Sequence, residues 1–362
     1  MNTITETPAV VIDLAPVKRN IAKLREYSQK HKIAVRPHTK THKSIAMGQL
    51  QIEAGAIGLT VAKAGEAEIM ANASRDILIA YPAFDAGRCD RVAQLAKTHT
   101  VHVGLDSAFA ASGIAEAARR AGTTVGILVD LDVGMHRTGL QSPKQTLELA
   151  QAVSNTPGLR LDGIMCYPGH LKCPVDEQVK DLKRIDALLH QTIDLWRKSG
   201  LEAKIVSGGS TPALYQSHHV TAFTEVRPGT YIYNDVNTLA GGFCTIDECA
   251  AKVVCTVISD SVPGKFVIDA GSKTLTSDRC GVNPDTAGHG RIVEYPRARI
   301  SRLTEEHGEV ELNGGEKPKL GEQVHVIPNH ICPCINLHDR FWLRDERGQL
   351  SSMPVDARGR VT

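Results

Sequence analysis

The feature that most constrains the fold is a regular alternation of β-type and helical segments between residues 33 and 226. Short apolar runs alternate with Ala-, Glu- and Lys-rich stretches of helical periodicity. Strands that alternate with helices form a parallel sheet covered on both faces, and eight strands favour a closed (β/α)8 TIM barrel over an open doubly wound sheet. The predicted strands are 33–35, 57–61, 77–80, 101–105, 125–131, 161–166, 204–207 and 223–226, and the predicted helices include 64–72, 108–121, 145–153 and 179–198.

The pattern changes after Asn234, where the helical signal nearly disappears. A strand is also predicted at 7–13, before a first helix at 14–30. We therefore predict two domains: a barrel over 14–234, and an antiparallel β domain formed by 1–13 and 235–362. The strands predicted in the C-terminal part are 252–258, 265–270, 291–293, 297–303, 309–312, 323–327 and 341–344.

Length and composition narrow the classes of function. A chain of 362 residues is long for one core, which agrees with two domains. The net charge of +2 argues against nucleic acid or an anionic membrane as a main partner. No apolar run reaches the roughly 20 residues of a membrane span, and no signal peptide is visible. Nine scattered cysteines without disulfide spacing favour reduced thiols and a cytoplasmic location.

Functional groups of a barrel gather at the carboxyl ends of its strands, and the first strand runs into the ionisable stretch 36–43. Arg36, His38, Lys40 and His42 alternate at period two, which places them on one side if the chain stays extended. A partly desolvated lysine among cations has a lowered pKa, so its amine can attack a carbonyl. The stretch therefore predicts a Schiff-base lysine, with a solvated strand end as the alternative.

Glycine-rich sequence follows the last two barrel strands. Ser207-Gly208-Gly209-Ser210-Thr211 lies between a strand and a short helix, where free N–H groups can bind an anion. Gly229-Thr230 follows the eighth strand and would complete the cradle. Because barrels often hold a phosphate after strands seven and eight, we favour a phosphate site over a plain tight turn.

A phosphate site combined with a strand-end lysine indicates pyridoxal phosphate, whose ring accepts electrons from a substrate α-carbon. Two further strand-end residues are candidates for contact with its ring. Arg137 is placed near the phenolic oxygen, and Tyr167 near the ring nitrogen. The alternatives are a structural salt bridge for Arg137 and a place at the barrel rim for Tyr167.

A second candidate site lies in the predicted β domain. His330 and Cys332 are two residues apart, so they face the same way on an extended segment. Imidazole and thiolate together suit zinc, and two protein ligands leave positions open for water and substrate. From spacing alone, this pair is more often a loop histidine beside a buried cysteine than a pair of metal ligands.

Taken together, these motifs resemble the D-threonine aldolase/D-serine dehydratase family, which has the alanine-racemase-like fold type of pyridoxal phosphate enzymes. The resemblance implies a barrel plus a β domain, usually as a homodimer, with Lys40 rather than Lys43 as the Schiff-base lysine. It implies Arg137 near the phenolic oxygen, and His330 and Cys332 as metal ligands. The motifs are 36–43, 132–139, 207–212, 227–231, 269–273 and 328–333. The candidate cofactor-binding residues are Lys40, Arg137, Tyr167, Ser207, Gly208, Gly209, Ser210, Thr211, Gly229, Thr230 and Tyr231.

Members of this family divide by chemistry. Dehydratases lose the β-hydroxyl and yield a keto acid and ammonia, whereas aldolases cleave the Cα–Cβ bond and yield glycine and an aldehyde. The His-x-Cys pair is more similar to the zinc dehydratases; His-x-Asp in well-known aldolases suits manganese or magnesium. The resemblance therefore implies a metal-dependent lyase on D-3-hydroxy amino acids. A D-serine or D-threo-3-hydroxyaspartate type of dehydratase ranks ahead of a D-threonine aldolase.

Two other functions stay open. A racemase needs a second acid/base, usually a tyrosine of the β domain, and Tyr295 is the one tyrosine after residue 233. A non-enzymatic carrier of pyridoxal phosphate is the other, although small proteins of that kind consist of a barrel alone. The sequence assigns no role to His170, Lys273 or His307, and it does not specify the substrate side chain.

Overall fold

The structure is a computed structural model that describes residues 4–282, 284–285, 287–314 and 316–362. The first three residues of the predicted segment 1–13 lie outside this range. The chain divides into two compact units. The β unit comprises Met1–Ala22 and Thr230–Arg358, and the barrel unit comprises Lys23–Gly229 and Gly359–Thr362.

The strands and helices alternate over the first two thirds of the chain, as the sequence predicts. The strands are β1 (Ala9–Asp13), β2 (Ala34–Val35), β3 (Leu59–Val61), β4 (Asp76–Ile79), β5 (Thr100–Leu105), β6 (Val125–Asp130), β7 (Leu159–Met165), β8 (Ile205–Gly208), β9 (Glu225–Val226), β10 (Ala251–Ser259), β11 (Lys265–Ile268), β12 (Arg291–Ile292), β13 (Arg299–Leu303), β14 (Gly308–Glu311), β15 (Gln323–Ile327), β16 (Arg340–Arg344) and β17 (Leu350–Pro354). The helices are α1 (Leu14–His31), α2 (Ile45–Glu53), α3 (Ala64–Met70), α4 (Ala86–Leu95), α5 (Ala108–Ala121), α6 (Pro143–Ser154), α7 (Val175–Lys198), α8 (Val236–Ala240), α9 (Ser272–Leu275) and α10 (Ile331–Leu337). Short 3-10 turns cover Thr39–Thr41, Leu214–His219, Thr230–Ile232 and Ile246–Glu248.

The barrel unit is built on a parallel sheet in the order β2-β9-β8-β7-β6-β5-β4-β3. A parallel bridge between His38 and Thr60 joins the end of β2 to β3, and Thr60 N donates to Pro37 O at 2.9 Å. This bridge brings the two edges together. The predicted eight-stranded (β/α)8 architecture is therefore confirmed, and the strand ends near His38 lie at its carboxyl face.

Local sequence explains the individual elements of the barrel unit. Every residue of β6 is buried, as expected of a parallel strand covered on both faces. Helix α5 begins at Ser107, whose side chain accepts a hydrogen bond from Ala110 N, and it ends at Gly122 with a φ of 66°. These caps fix the helix that follows β5, and so the position of the neighbouring strand ends.

A buried network of charged groups crosses the sheet of the barrel unit. Arg36 Nε donates to both carboxylate oxygens of Glu225 at 3.0 Å, and Arg36 also pairs with Asp76. His102 lies 3.2 Å from Asp76 and 2.6 Å from Asp162. Burial alone would lower the pKa of His102, but the two carboxylates outweigh burial and raise it.

This network corrects the prediction that Arg36, His38, Lys40 and His42 share one side. The extended segment stops at His38, which caps the 3-10 turn Thr39–Thr41 by accepting a hydrogen bond from Lys40 N. Arg36 points instead to its carboxylate partners, and the ring of His42 is buried against Gln51. The period of two ends because a turn replaces the strand.

The β unit carries a nine-stranded sheet. Its main path runs β13-β14-β11-β10-β1-β16-β17, and β15 pairs with β10 and β12. The described pairs are antiparallel except β1 with β16. The prediction that helical signal nearly disappears here missed α8, α9 and α10. Helices of four to seven residues do not complete two hydrophobic periods, so periodicity cannot reveal them.

Among the described helices, none combines the length and the apolar composition that crossing a membrane requires. All nine cysteines are free thiols.

Candidate cofactor and metal sites

Three of the predicted cofactor residues meet at the carboxyl ends of β2, β6 and β7. The Nζ of Lys40 lies 5.9 Å from the centroid of the Tyr167 ring, and the guanidinium carbon of Arg137 lies 5.0 Å from it. Lys40 is half-buried in its 3-10 turn, whereas Arg137 is exposed. The tyrosine ring thus brings the amine and the guanidinium to one place in the barrel unit.

Asp132 shapes the loop that carries Arg137. Its Oδ1 accepts hydrogen bonds from Gly134 N at 2.9 Å and from His136 N at 3.1 Å. Burial opposes the charge on Asp132, but these N–H groups outweigh burial and lower its pKa. A Cβ at Gly139 would come within 2.5 Å of Asp132 N, so glycine is required for the loop to close.

The predicted phosphate cradle fits an anion. Gly209 has a φ of +85°, and a Cβ at Gly208 would come within 2.2 Å of the Phe223 ring. The hydroxyl of Ser210 is buried, and among the described residues it has no hydrogen-bond partner. A buried hydroxyl beside a glycine backbone is a donor that a phosphate oxygen would satisfy. The cradle residues of the barrel unit therefore fit the phosphate of pyridoxal phosphate.

Other predicted cradle residues have different surroundings. The Ser207 hydroxyl donates to Glu225 and accepts from Arg227 Nη1 at 2.6 Å, so only its backbone is available to an anion. Gly229 is packed closely, since a Cβ there would lie 2.9 Å from the Thr41 hydroxyl. In the β unit, the Thr230 hydroxyl lies 3.7 Å from the Cys332 sulfur. Thr211 is half-buried and Tyr231 is buried.

The metal candidates lie at the start of α10, which corrects the prediction of an extended segment. His330 is the N-cap and has extended backbone, with a φ of −137°, whereas Cys332 is already inside the helix. The two side chains still interact, because Cys332 contributes to the raised pKa of His330. A helix start therefore brings together the pair that the sequence placed on a strand.

Asp278 orients the imidazole of His330. Its Oδ2 lies 2.9 Å from His330 Nδ1, which leaves the other ring nitrogen for a ligand. A carboxylate behind the imidazole is the common support of a metal-binding histidine. Burial opposes the imidazolium, but Cys332, Asp235 and Asp278 outweigh burial and raise the pKa of His330 to about 9. This environment favours positive charge, so the donor set fits a divalent cation.

In the described part of the chain, no group of three or more His, Cys, Asp or Glu side chains is arranged to hold a metal. The metal assignment therefore depends on the His330–Cys332 pair. Sequence reasoning missed Asp278, because it is 52 positions from His330 and no local spacing connects them.

Two buried charges near the cradle were also missed. Arg227 donates to Cys166 O at 2.8 Å in addition to Ser207, and Asp130 accepts from the Thr138 hydroxyl at 2.9 Å. Burial raises the pKa of Asp130 to about 6. Arg227 lies two positions after Glu225, the spacing at which side chains of an extended segment point to the same side. This spacing was the available signal for Arg227.

His170 follows β7 and has unused hydrogen-bonding capacity. Among the described residues, neither of its ring nitrogens has a partner, although both are buried. Burial lowers its pKa, so the imidazole is neutral at pH 7. Sequence analysis assigns His170 no role, and its two buried ring nitrogens are unpaired polar atoms of the barrel unit.

Comparison with known proteins gives two family matches. Residues 12–236 match the family described as alanine racemase, N-terminal domain, and residues 250–343 match the putative serine dehydratase domain. The chain is 30% identical over 346 residues to a D-threo-3-hydroxyaspartate dehydratase of Delftia sp., covering 90% of this chain and 91% of that protein.

Solved structures show the same likeness. The D-threonine aldolase from Filomicrobium marinum superposes with a TM-score of 0.89 at 30% identity, covering 99% of this chain and 97% of that one. A variant of D-threo-3-hydroxyaspartate dehydratase in a metal-free form superposes with a TM-score of 0.90 at 27% identity, covering 98% and 99%. The chain is thus similar to an aldolase and to a dehydratase over nearly its whole length.

Proposed function

The chain belongs to the alanine racemase N-terminal domain family, and from this membership we propose a pyridoxal phosphate-dependent lyase that acts on D-3-hydroxy amino acids. The relatives with which it aligns almost end to end are lyases of this substrate class by name. The observation that carries the proposal is the grouping of Lys40, Tyr167 and Arg137 in the barrel unit. A reactive amine next to an anion cradle is what this cofactor requires.

Each candidate residue has a defined task in the barrel unit. Bound pyridoxal phosphate supplies an electron sink for the substrate α-carbon. Lys40 provides the amine that bonds the cofactor's aldehyde, and it removes the α-proton. The Ser210 hydroxyl and the N–H groups of 208–211 bind the phosphate, and Arg137 binds the phenolic oxygen. The cofactor domain of this proposal is 14–234, and the metal-carrying domain is 1–13 and 235–362.

His330 and Cys332 supply the metal ligands of the proposal. Imidazole and thiolate are the combination that zinc prefers, whereas manganese and magnesium prefer oxygen ligands, so we propose zinc. Asp278 fixes the ring orientation of His330. Held by His330 and Cys332, a zinc ion would supply Lewis-acid chemistry toward the β-hydroxyl of the substrate.

The His-x-Cys pair favours dehydratase activity over aldolase activity. In a dehydratase the β-hydroxyl leaves, and a soft zinc site assists its departure. The aldolase remains the second candidate because a D-threonine aldolase matches this chain at 30% identity. Both reactions need the same α-carbon chemistry and differ in which bond to the β-carbon breaks.

A racemase is disfavoured by the surroundings of Tyr295. Its hydroxyl donates to Glu322 Oε1 at 2.6 Å, and this bond, together with burial, raises the pKa of Tyr295 to about 12. A phenol held by a carboxylate is a poor second acid/base at neutral pH.

A product assay tests the proposal. Purified protein with pyridoxal phosphate and zinc is given D-serine, D-threonine or D-threo-3-hydroxyaspartate, with the L-enantiomers as controls. We expect keto acid and ammonia from a D-substrate only. Glycine and an aldehyde would assign the aldolase instead, and loss of optical rotation without either product would assign a racemase. Inertness toward all three D-substrates would refute the lyase.

We also propose a homodimer and a cytoplasmic location. The homodimer is proposed because members of the family are usually homodimers. The cytoplasmic location is supported by the nine free thiols. Light scattering during gel filtration measures the oligomeric state, and cell fractionation measures the location.

A further inference from the structure

Three cysteines of the β unit pack in one hydrophobic cluster. Cys249 and Cys280 are buried together with Val236, and the half-buried Cys244 packs against them. Cys244 follows α8, and Cys249 follows the 3-10 turn Ile246–Glu248. Apolar packing explains a buried cysteine, but two of these thiols also interact with each other electrostatically.

The Cys249 thiol donates to Thr245 O at 3.8 Å, and Cys244 and Cys249 lie close enough for each to shift the pKa of the other. The Cys244 sulfur also lies 3.5 Å from the Thr238 hydroxyl. The interaction of the two thiols lowers the pKa of Cys244 and raises that of Cys249, so the more exposed thiol is the better nucleophile. Cys249 also lies in the wall of a surface cavity of about 590 Å³, into which Arg19 and Lys252 project. Cys249 itself is buried, so the half-buried Cys244 is the thiol of the pair that a small reagent can reach.

The thiol pair is connected to the start of α10 through the cap of α8. Thr238 N donates to Asp235 Oδ1 at 2.9 Å, and the Thr238 hydroxyl, which contacts Cys244, accepts from Asp235 N at 2.8 Å. The other carboxylate oxygen of Asp235 accepts from Ile331 N at 3.2 Å. Val236 N donates to Pro328 O at 3.1 Å. One capping box thus ties the thiols to the segment that carries His330.

We propose that Cys244 and Cys249 are a redox-active pair, and that their reversible disulfide weakens metal binding at His330 and Cys332 by distorting the cap of α8. The second half of this statement rests on the proposed function. The oxidant is a hydroperoxide. The Cys244 thiolate attacks one oxygen of hydrogen peroxide, an S–O bond forms and the O–O bond breaks, so Cys244 becomes a sulfenic acid and the other oxygen leaves as water after protonation. Cys249 then attacks the Cys244 sulfur, the S–O bond breaks, and a second water leaves. The two sulfurs give up two electrons, and an added dithiol returns them.

Peptide mapping tests the disulfide on the full-length, zinc-loaded holoprotein. Trypsin does not cleave between Arg227 and Pro228, so peptide 205–252 contains Cys244 and Cys249 and no other cysteine. After hydrogen peroxide, we expect this peptide to lose two hydrogen atoms and to resist alkylation, and dithiothreitol should restore both thiols. Cys244→Ser and Cys249→Ser should abolish the change. Cys173→Ser, at the other half-buried cysteine, should leave it intact.

Zinc titration tests the connection to the metal pair. Oxidised wild type should bind zinc about tenfold more weakly than reduced wild type, the scale seen when groups that support metal ligands are altered. Oxidised Cys244→Ser, which keeps Cys332, should bind like its reduced form. Over-oxidation of Cys244 without a disulfide would overturn the proposal. A disulfide that leaves zinc affinity unchanged would overturn the control of the metal pair. Absence of zinc binding by reduced wild type would instead refute the proposed metal site, while the mapping result would still stand.

Discussion

Lys40 is the residue on which the proposed chemistry depends. Replacing it with alanine removes the one amine near the Tyr167 ring that the proposal uses. We expect Lys40→Ala to lose the visible absorption band of bound cofactor and to lose lyase activity by about 10³-fold or more. Lys63→Ala is the control, because Lys63 lies over the Tyr81 ring elsewhere on the barrel unit. Retention of wild-type turnover by Lys40→Ala would contradict the assignment.

Asp130 makes stability depend on pH. Burial raises its pKa from 3.8 to about 6, so the protonated form is favoured in the folded protein. This stabilisation is complete below pH 3.8 and is lost as the pH rises through 6. We therefore compare the free energy of unfolding of Asp130→Asn with that of wild type at each pH. This difference should favour the variant by about 3 kcal/mol more at pH 7.5 than at pH 3.5.

Urea unfolding of the cofactor-free proteins at both pH values measures this difference. Groups that do not interact with Asp130 titrate alike in the two proteins, so the comparison removes their contribution. Asp194→Asn, at an exposed position of α7, should show no such difference. A stability gain for Asp130→Asn that is the same at both pH values would contradict the raised pKa.

For individual residues, the sequence predicts which side chains follow the strands. It does not predict which hydrogen-bond or ion-pair partners these side chains contact in the folded protein. Lys40, Arg137 and Tyr167 were found because the carboxyl ends of barrel strands converge. The Arg36–Glu225 pair was not, since 189 positions separate the two residues and either could have faced solvent. Local pattern gives the side of a strand on which a residue lies, whereas ion pairing across the sheet depends on the closed fold.

Among elements, strands were predicted better than short helices. The predicted strand 125–131 corresponds to β6, and 323–327 has the bounds of β15. A continuous apolar run marks β6 because both of its faces are buried, whereas β15 alternates polar and apolar residues over its first four positions. The spacing of two between His330 and Cys332 predicts an extended segment, but helix α10 begins at Ile331 and accommodates Pro333 in its first turn, where proline is tolerated.

Strand β7 contains an irregularity that depends on Gly163. The pairing of β6 with β7 skips Asp162, whose side chain reaches His102. A Cβ at Gly163 would come within 1.9 Å of Ile205 O on β8. We expect Gly163→Ala to lower the free energy of unfolding by about 3 kcal/mol, because backbone must move to accept the methyl group.

A matched control is Gly200→Ala. Gly200 also has a positive φ, +78°, but a Cβ there would meet nothing within 4 Å. Gly200→Ala should lower the free energy of unfolding by about 1 kcal/mol, because only the backbone conformation disfavours alanine there. Urea midpoints of the two variants measure the difference, and equal losses would show that the approach of β8 to Gly163 is not the cause.

For the whole molecule, the two compact units carry different parts of the proposed chemistry. The barrel unit holds Lys40, Arg137, Tyr167 and the Ser210 hydroxyl, and the β unit holds His330 and Cys332. Binding of cofactor and binding of metal should therefore be separable, whereas turnover should require both. The sequence predicts a barrel over 14–234 and a β domain over 1–13 and 235–362, because the alternation of strands and helices stops near Asn234.

Metal removal tests this separability. Prolonged dialysis against a chelator should abolish turnover, because the β-hydroxyl loses its Lewis acid, while the visible band of bound cofactor stays. Zinc should restore activity better than manganese or magnesium, since the ligands are imidazole and thiolate. His330→Ala should show the same loss of turnover with the cofactor band retained, and added zinc should not rescue it. Full activity in a sample verified as metal-free would refute the metal role, and joint loss of metal and cofactor would show that the two sites are not independent.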